Sequence, residues 1–174
     1  MENLSIRLLQ EGDEGSLLAF EEENRTFFQE FSVHRPDDFY TLEGQREMLK
    51  TRLEKSEEDQ DYHFGIFLDG GELIGTIGLF RIERGPRQMA IIGYSLSQKH
   101  NGKGYATEAV RQLVRYGFDV LGLHRIEAGV MPKNGGSIRV LEKAGFEKEG
   151  ISRKSVKING EWEDHLILAV INED

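Results

Sequence analysis

The chain has 174 residues, enough for one domain with a sizeable core, and it carries a formal net charge of −9. This acidic balance argues against a nucleic-acid-binding surface, and the absence of cysteine excludes disulfides, thiolate nucleophiles and cysteine zinc sites. No run of about 18 apolar residues predicts a membrane span, and the first residues lack the pattern of a signal peptide. We therefore expect a single cytoplasmic domain over residues 1–174, without contact to a membrane.

The negative charge is concentrated in the first third of the chain. Residues 1–61 contain 17 acidic and 7 basic side chains, whereas the remaining residues contain 14 acidic and 15 basic ones. An acidic region of this kind either keeps the protein soluble or attracts a cationic partner. The sequence leaves both interpretations open.

The first half of the chain has both strand and helix patterns. Leu4–Leu8 alternates apolar and polar residues, which predicts a strand. Apolar residues recur at helical spacing from Glu14 to Phe31 and again from Leu42 to Leu53, which predicts two helices. The period then changes to two, which predicts strands at Tyr62–Asp69 and Glu72–Glu83.

The second half continues with two strand–helix pairs and ends in a hairpin whose turn is Asn159 and Gly160. Its predicted elements are a strand at Gln88–Leu96, a helix with an apolar stripe from Ala106 to Leu121, a strand at His124–Met131, a helix at Asn134–Ala144, and strands at Ile151–Ile158 and Trp162–Ile171. The order β-α-α-β-β-β-α-β-α-β-β predicts a mixed α/β fold, an α+β mixed sheet with an antiparallel meander and one parallel strand pair.

The segment that points most directly to a function is Asn101-Gly102-Lys103-Gly104-Tyr105-Ala106-Thr107, between a strand and a strong helix. Glycines let the backbone approach a ligand, and the first amides of a helix bind phosphate. Tyr105 stands where a Walker A loop needs lysine, and Thr107 occupies the third glycine position of a dinucleotide-binding fingerprint. The dinucleotide interpretation is thereby weakened, and a third interpretation is a pyrophosphate loop for coenzyme A.

The segment from Gly102 to Ala109 strongly resembles the acetyl-CoA loop of the GNAT superfamily of N-acetyltransferases. The family pattern Q/R-x-x-G-x-G/A falls on Asn101, Gly104 and Ala106, with asparagine where the family usually has glutamine or arginine. Asn134-Gly135-Gly136-Ser137, followed by Leu141 to Phe146, is similar to the family's N-x-x-S…K-x-G-F helix. With the Ile158–Trp162 hairpin and the element order, the chain most resembles the RimJ/RimL subgroup, which acetylates protein N-terminal amines.

The resemblance implies a GNAT-like acyl-CoA N-acyltransferase fold and direct acetyl transfer from acetyl-CoA to a primary amine, without a metal. In that family the strand before the loop splays from the next strand, and pantetheine lies in the gap. The implied cofactor-binding residues are Leu96, Ser97, Asn101, Gly102, Lys103, Gly104, Tyr105, Ala106, Thr107, Asn134, Ser137 and Lys143. Asn134 and Ser137 are equally suited to capping a helix, and Lys143 to a solvated helix face.

The resemblance also assigns catalytic candidates. Ser137 matches the position that protonates the leaving thiolate. Many relatives carry a glutamate on the strand before the loop, where this chain has Ile91, so the base that deprotonates the amine must come from elsewhere. Glu127 and Glu30 are the candidates for that base.

The acceptor implied by the subgroup is the N-terminal amine of a protein or peptide. A polyamine or an aminoglycoside is the alternative within enzymes, and a non-catalytic acetyl-CoA sensor is the alternative outside them. The aromatic cluster Phe27, Phe28 and Phe31 is typical of a core, and part of it is suited to face the substrate. The sequence is compatible with a homodimer and does not fix the oligomeric state.

Overall fold

A computed structural model describes residues 2–173 as a seven-stranded mixed sheet with helices on both faces. The elements in chain order are β1 (Leu4–Leu8), α1 (Glu14–Glu23), α2 (Arg25–Gln29), α3 (Leu42–Glu57), β2 (Tyr62–Leu68), β3 (Leu73–Glu83), β4 (Met89–Leu96), α4 (Tyr105–Asp119), β5 (Arg125–Val130), α5 (Gly135–Lys143), β6 (Glu147–Ile158) and β7 (Glu161–Ile171). Single 3-10 turns lie at Asp37–Tyr40 and Gln98–His100.

The strands are ordered β1-β2-β3-β4-β5-β7-β6 across the sheet. Strands β1 to β4 form an antiparallel meander, β4 and β5 are parallel, and β5, β7 and β6 are antiparallel again. The parallel pair arises because helix α4 carries the chain across one face between β4 and β5. The predicted fold class, with its meander and its one parallel pair, is confirmed.

The helix predicted from Glu14 to Phe31 is in fact two helices, because Asn24 interrupts it with φ −105° and ψ 7°. The Asn24 side chain is buried and hydrogen-bonds in two directions. Its Nδ2 donates to the Phe20 carbonyl at 2.9 Å, and its Oδ1 accepts from the Gln98 amide at 2.9 Å. Asn24 thereby links the end of α1 to the turn that precedes the glycine loop, a long-range contact that helical spacing does not reveal.

We expect Asn24→Ala to lower the free energy of unfolding by about 1–3 kcal/mol, since it leaves the Gln98 amide without its side-chain acceptor. Asn24 is only 3% exposed, so water replaces that acceptor poorly. Urea denaturation checks the change, with the exposed Thr26→Ala in α2 as the control. Equal losses of stability in the two variants would show that the Asn24 side chain does not stabilise the turn.

Two further elements are longer than the sequence predicts. Helix α3 continues from Leu53 to Glu57, and β6 begins at Glu147 rather than at Ile151. Bulges interrupt the β6–β7 register between Lys148 and Gly150 and again before Val156. A bulge adds a residue to one strand, so the period-two pattern that identifies a strand is lost there.

The two faces of the sheet bury different sets of helices. The larger cluster packs α4 and α5 on one face and includes Leu79, Ile92, Val110 and Leu141. The smaller cluster of Leu9, Leu17 and Leu49 lies beneath α1 and α3 on the opposite face. No helix within residues 2–173 is long and apolar enough to cross a membrane.

The loop before α1 is held by a paired arginine and aspartate. Arg7 Nη1 and Nη2 each donate to the Asp13 carboxylate at 2.9 Å, and the Gln10 amide donates to it at 2.8 Å. These bonds lower the pKa of Asp13 below its usual value, and the bond with Arg7 contributes most to the shift. A carboxylate of this kind stabilises the fold only while it is ionised.

We expect Asp13→Asn to lower the free energy of unfolding by about 1 kcal/mol at neutral pH. The deficit should persist down to about pH 4, near the pKa of an unfolded aspartate, and shrink as the pH falls through the lower pKa of the folded state. Chemical denaturation at a series of pH values measures it. A deficit that grows on acidification would contradict the stabilising role of the ionised pair.

Candidate active site

Strands β4 and β5 are paired only where they begin. Met89 to Ile91 pair with Arg125 to Glu127, and the parallel pairing ends there. Residues 92–96 of β4 continue to pair with β3, whereas residues 128–130 of β5 pair with β7. The two strands therefore splay, and one edge of β4 is left open to an extended ligand.

A cavity of about 560 Å³ lies at this splay. Its walls come from α2, the end of β4, the glycine loop with the start of α4, and α5. The lining residues are Phe27, Phe28, Phe31, Ser32, Tyr94, Ser95, Leu96, Asn101, Gly102, Gly104, Tyr105, Ala106, Thr107, Asn134, Gly136, Ser137, Arg139, Val140 and Lys143. A concave site that joins an open strand edge to a helix N-terminus fits a long, phosphate-bearing ligand.

The glycine loop presents unpaired amides to this cavity. Gly102 and Gly104 have φ values of 77° and 84°, a conformation that glycine adopts without a steric penalty. Helix α4 starts directly after Gly104, and the Glu108 amide donates to the Gly104 carbonyl at 3.2 Å. The amides of Tyr105 to Thr107 precede this bond and have no acceptor within the helix, so they can bind phosphate oxygens.

Positive side chains at the cavity come from α5. Arg139 and Lys143 line it, and no aspartate, glutamate or histidine of residues 2–173 does. Lys99, near the loop in sequence, instead lies 3.4 Å from both Glu23 and Glu72, which compensate its charge. The local electrostatics thus favour an anionic ligand at the end of the cavity near α5.

Asn134 and Ser137 form the start of α5 as the sequence predicts. The Ser137 amide donates to Asn134 Oδ1 at 3.2 Å, so Asn134 caps the helix while it also lines the cavity. The Ser137 hydroxyl lies 2.7 Å from the Tyr94 hydroxyl, and this hydrogen bond joins α5 to β4 across the cavity wall. Burial raises the pKa of Tyr94, so its hydroxyl keeps its proton at neutral pH.

Two residues predicted to bind the cofactor lie outside the cavity lining. Ser97 is buried behind the end of β4, where its amide donates to the Ile74 carbonyl at 2.8 Å and its hydroxyl lies 3.3 Å from Asn24 Nδ2. Lys103 is exposed at the tip of the loop, between the two glycines that line the cavity. The open edge of β4 is therefore contributed by Tyr94 to Leu96 rather than by Ser97.

The two predicted bases also lie outside the lining. Glu127 accepts a hydrogen bond from Arg125 Nε at 3.0 Å and forms an ion pair with Arg125 Nη2 at 2.9 Å, and Arg125 in turn binds Glu149. Glu127 also pairs with Ile91, where the strands are still joined. Glu30 is exposed at the end of α2, next to Phe31 of the cavity wall. Across residues 2–173 no group of acidic and histidine side chains is arranged to hold a metal ion.

The sequence pattern of several lining residues is typical of the core and does not by itself predict a place in the site. The rings of Phe27, Phe28 and Phe31 face the cavity, and α2 has no fully buried residue. Tyr94, which by its pattern is a packed aromatic, reaches Ser137 from the opposite side of the cavity. The family pattern marks Ser137 but carries no signal for its tyrosine partner, because that bond depends on the pairing of elements 43 residues apart.

Comparisons with known proteins agree with this geometry. Residues 3–147 match the acetyltransferase (GNAT) domain family. The chain is 58% identical over 170 residues to the probable N-acetyltransferase YjcK of Bacillus subtilis, with 97% of this chain and 94% of that protein covered. It is 32% identical to the [ribosomal protein uS5]-alanine N-acetyltransferase of Escherichia coli, with coverages of 99% and 90%.

Solved structures show the same relationship. The ribosomal-protein-S5-alanine acetyltransferase of Vibrio fischeri superposes with a TM-score of 0.95 at 32% identity, covering 100% of this chain and 96% of that one. RimJ of Mycobacterium smegmatis, solved in complex with CoA-disulfide, superposes with a TM-score of 0.93 at 25% identity and coverages of 98% and 82%. The chain therefore belongs to the GNAT family of acetyltransferases, is related to its RimJ/RimL members, and is an N-acetyltransferase.

Proposed function

We propose that the chain transfers the acetyl group of acetyl-CoA to the N-terminal amine of a protein or peptide. The observation that carries this proposal is the cavity at the β4–β5 splay, which continues into the open amides at the start of α4. The Escherichia coli relative, named for acetylating an alanine of a ribosomal protein, supports a protein acceptor. Both substrates bind together, so that the amine attacks the thioester directly.

The cavity residues divide into parts that suit the parts of acetyl-CoA. The amides of residues 102–107 hold the pyrophosphate, with Asn101 and Lys103 at the rim of the loop, and Lys143 approaches the 3′-phosphate. The open edge of β4 from Tyr94 to Leu96 pairs with the pantetheine, and Asn134 contacts it near the sulfur. Bound there, acetyl-CoA supplies an activated thioester.

Ser137 and Tyr94 act on the leaving group. The Ser137 hydroxyl passes a proton to the thiolate and takes one back from water, which carries the proton released by the amine, and Tyr94 orients that hydroxyl through the 2.7 Å hydrogen bond. A β4 amide on the open edge stabilises the negative charge that develops on the carbonyl oxygen. Each of these groups is on a strand or a helix, which fixes its position relative to the cavity.

The absence of a base among the lining residues favours an N-terminal amine as acceptor. An α-amino group has a pKa of about 7.7–8.0, so a useful fraction is neutral near neutral pH, whereas an aliphatic amine with a pKa of about 10.4 is almost wholly protonated. The proton then leaves through water toward the exposed Glu30 beside the cavity. Glu127 is held by Arg125 and does not take this role.

A panel of amines, followed by release of free thiol from acetyl-CoA, tests the proposal. The panel contains a peptide with a free α-amine, the same peptide with a blocked α-amine and a lysine, spermidine and an aminoglycoside. We expect turnover with the free α-amine alone. Faster turnover with spermidine or the aminoglycoside would overturn the acceptor assignment, and acetyl-CoA binding without thiol release from any amine would favour a sensor.

A further inference from the structure

A partly buried arginine without a hydrogen-bond partner lies on the face of the sheet opposite α4. Within residues 2–173, Arg52 of α3 has no ion pair or hydrogen bond through its side chain. Asp61 is held by the Arg81 amide at 2.8 Å and lies 3.6 Å from Lys55. Arg35, whose guanidinium lies 5.0 Å from the Phe39 ring, adds a second positive charge to the same region.

The acidic side chains Glu21 and Asp61 attract Arg52, but neither forms an ion pair or a hydrogen bond with it. Burial raises the pKa of Glu21, and the charges of Arg35 and Arg52 partly oppose that rise. Burial, together with the charges of Arg52 and Lys55, lowers the pKa of His63 to about 3, so the imidazole is neutral. Burial and Arg35 lower the pKa of Arg52 to about 10, and its guanidinium is still charged at neutral pH. A partly buried cation without an ion pair is stabilised when an anion pairs with it.

This charged region shares a sheet face with the cavity. His63 of β2 pairs with Gly78 of β3, which pairs with Gly93 of β4, so the three positions form a row across the sheet. Ser95 lies two residues beyond Gly93, on the same face, and lines the cavity. No Cβ stands between His63 and the cavity along this row.

The surface between the two sites is aromatic. The Phe80 ring packs over the two glycines, since a Cβ added at Gly78 or Gly93 would lie 2.6 Å or 2.9 Å from it. Its centroid lies 4.8 Å from that of His63, and Phe80 is only partly buried. An acceptor chain can therefore run from the cavity across Phe80 toward Arg52.

We propose that Arg52, assisted by Arg35, binds an acidic side chain of the acceptor peptide and so selects its sequence near the N-terminus. The inference rests on the proposed function and specifies its acceptor. Neighbouring strands are about 4.8 Å apart, so β2 and β4 are about 10 Å apart. An extended peptide advances about 3.3 Å per residue, which places the acidic side chain at about its third residue. A polyamine would instead bring a second ammonium group toward these arginines.

Five-residue peptides with alanine first and glycine elsewhere test this proposal, with glutamate or glutamine at the second, third or fourth position. We expect the glutamate peptide with the preferred position to have roughly 10- to 100-fold higher kcat/KM than its glutamine counterpart, mainly through KM. Calorimetry of the same peptides with the CoA-bound enzyme should show the same order of Kd. Arg52→Gln should remove the difference and leave turnover of the glutamine peptides intact.

Arg46→Gln is the matched control, because it removes the same charge from an exposed position of α3. That variant should retain the preference for glutamate. Equal kcat/KM and Kd for the glutamate and glutamine peptides in the unmodified enzyme would overturn the inference, even if Arg52→Gln does not fold. A preference that survives in folded Arg52→Gln would also overturn it. Failure of every peptide to release thiol would refute the proposed function, and this inference with it.

Discussion

Gly104→Asp should raise the Kd for acetyl-CoA by at least about 100-fold, the largest effect that we expect from a single substitution. Gly104 has φ 84° and directly precedes α4, so an aspartate there meets two penalties. A side chain costs roughly 1–2 kcal/mol in the left-handed region. Its carboxylate would also stand where the open amides of Tyr105 to Thr107 bind phosphate, and would repel the pyrophosphate.

Gly122→Asp is the matched control for this prediction. Gly122 also has a positive φ, 68°, but it lies between the far end of α4 and β5, outside the cavity lining. Both variants should lose a similar amount of stability in thermal denaturation, whereas only Gly104→Asp should lose acetyl-CoA affinity by calorimetry. An unchanged Kd in folded Gly104→Asp would refute the assignment of the phosphate site.

Ser137→Ala should lower kcat by about 100-fold, as expected for loss of a general acid, while the Kd for acetyl-CoA changes by only a few-fold. The small effect on affinity follows because Asn134 still lines the cavity and the phosphate loop is untouched. Tyr94→Phe should lower kcat less, since it removes the partner that orients Ser137 but leaves the hydroxyl that donates the proton. Steady-state kinetics together with calorimetry measure both quantities.

The double variant separates a shared role from two independent ones. If Tyr94 acts only through Ser137, Tyr94→Phe should have no further effect on kcat once Ser137 is alanine. Multiplicative losses would show that Tyr94 contributes to catalysis separately. A loss of acetyl-CoA affinity in Ser137→Ala as large as the loss of kcat would assign Ser137 to binding rather than to proton transfer.

The parts of the site that lie close together in sequence were predictable. The glycine loop and the start of α5 carry their structure in local residue types, because positive φ needs glycine and an N-cap needs a residue such as asparagine. Of the predicted cofactor residues, all but Ser97 and Lys103 line the cavity. Ser97 lies outside the lining because it hydrogen-bonds to Ile74 and Asn24, which are distant in sequence.

The features that could not be predicted depend on long-range packing. The Tyr94–Ser137 hydrogen bond requires β4 and α5 to meet across the cavity. The break at Asn24 depends on an amide 74 residues away, although apolar spacing continues through it. The positive charge around Arg52 likewise arises within the segment whose overall charge is most negative. Net charge along a sequence does not reveal which charges share one face of the fold.

The most direct test of the central claim combines thiol release with mass spectrometry of the acceptor. The enzyme is incubated with acetyl-CoA and a peptide that carries both a free α-amine and a lysine. We expect one acetyl group on the α-amine for each thiol released, and no turnover when the α-amine is blocked in advance. Acetylation of the lysine alone, or continued turnover of the blocked peptide, would contradict the assignment of this chain as an N-terminal acetyltransferase.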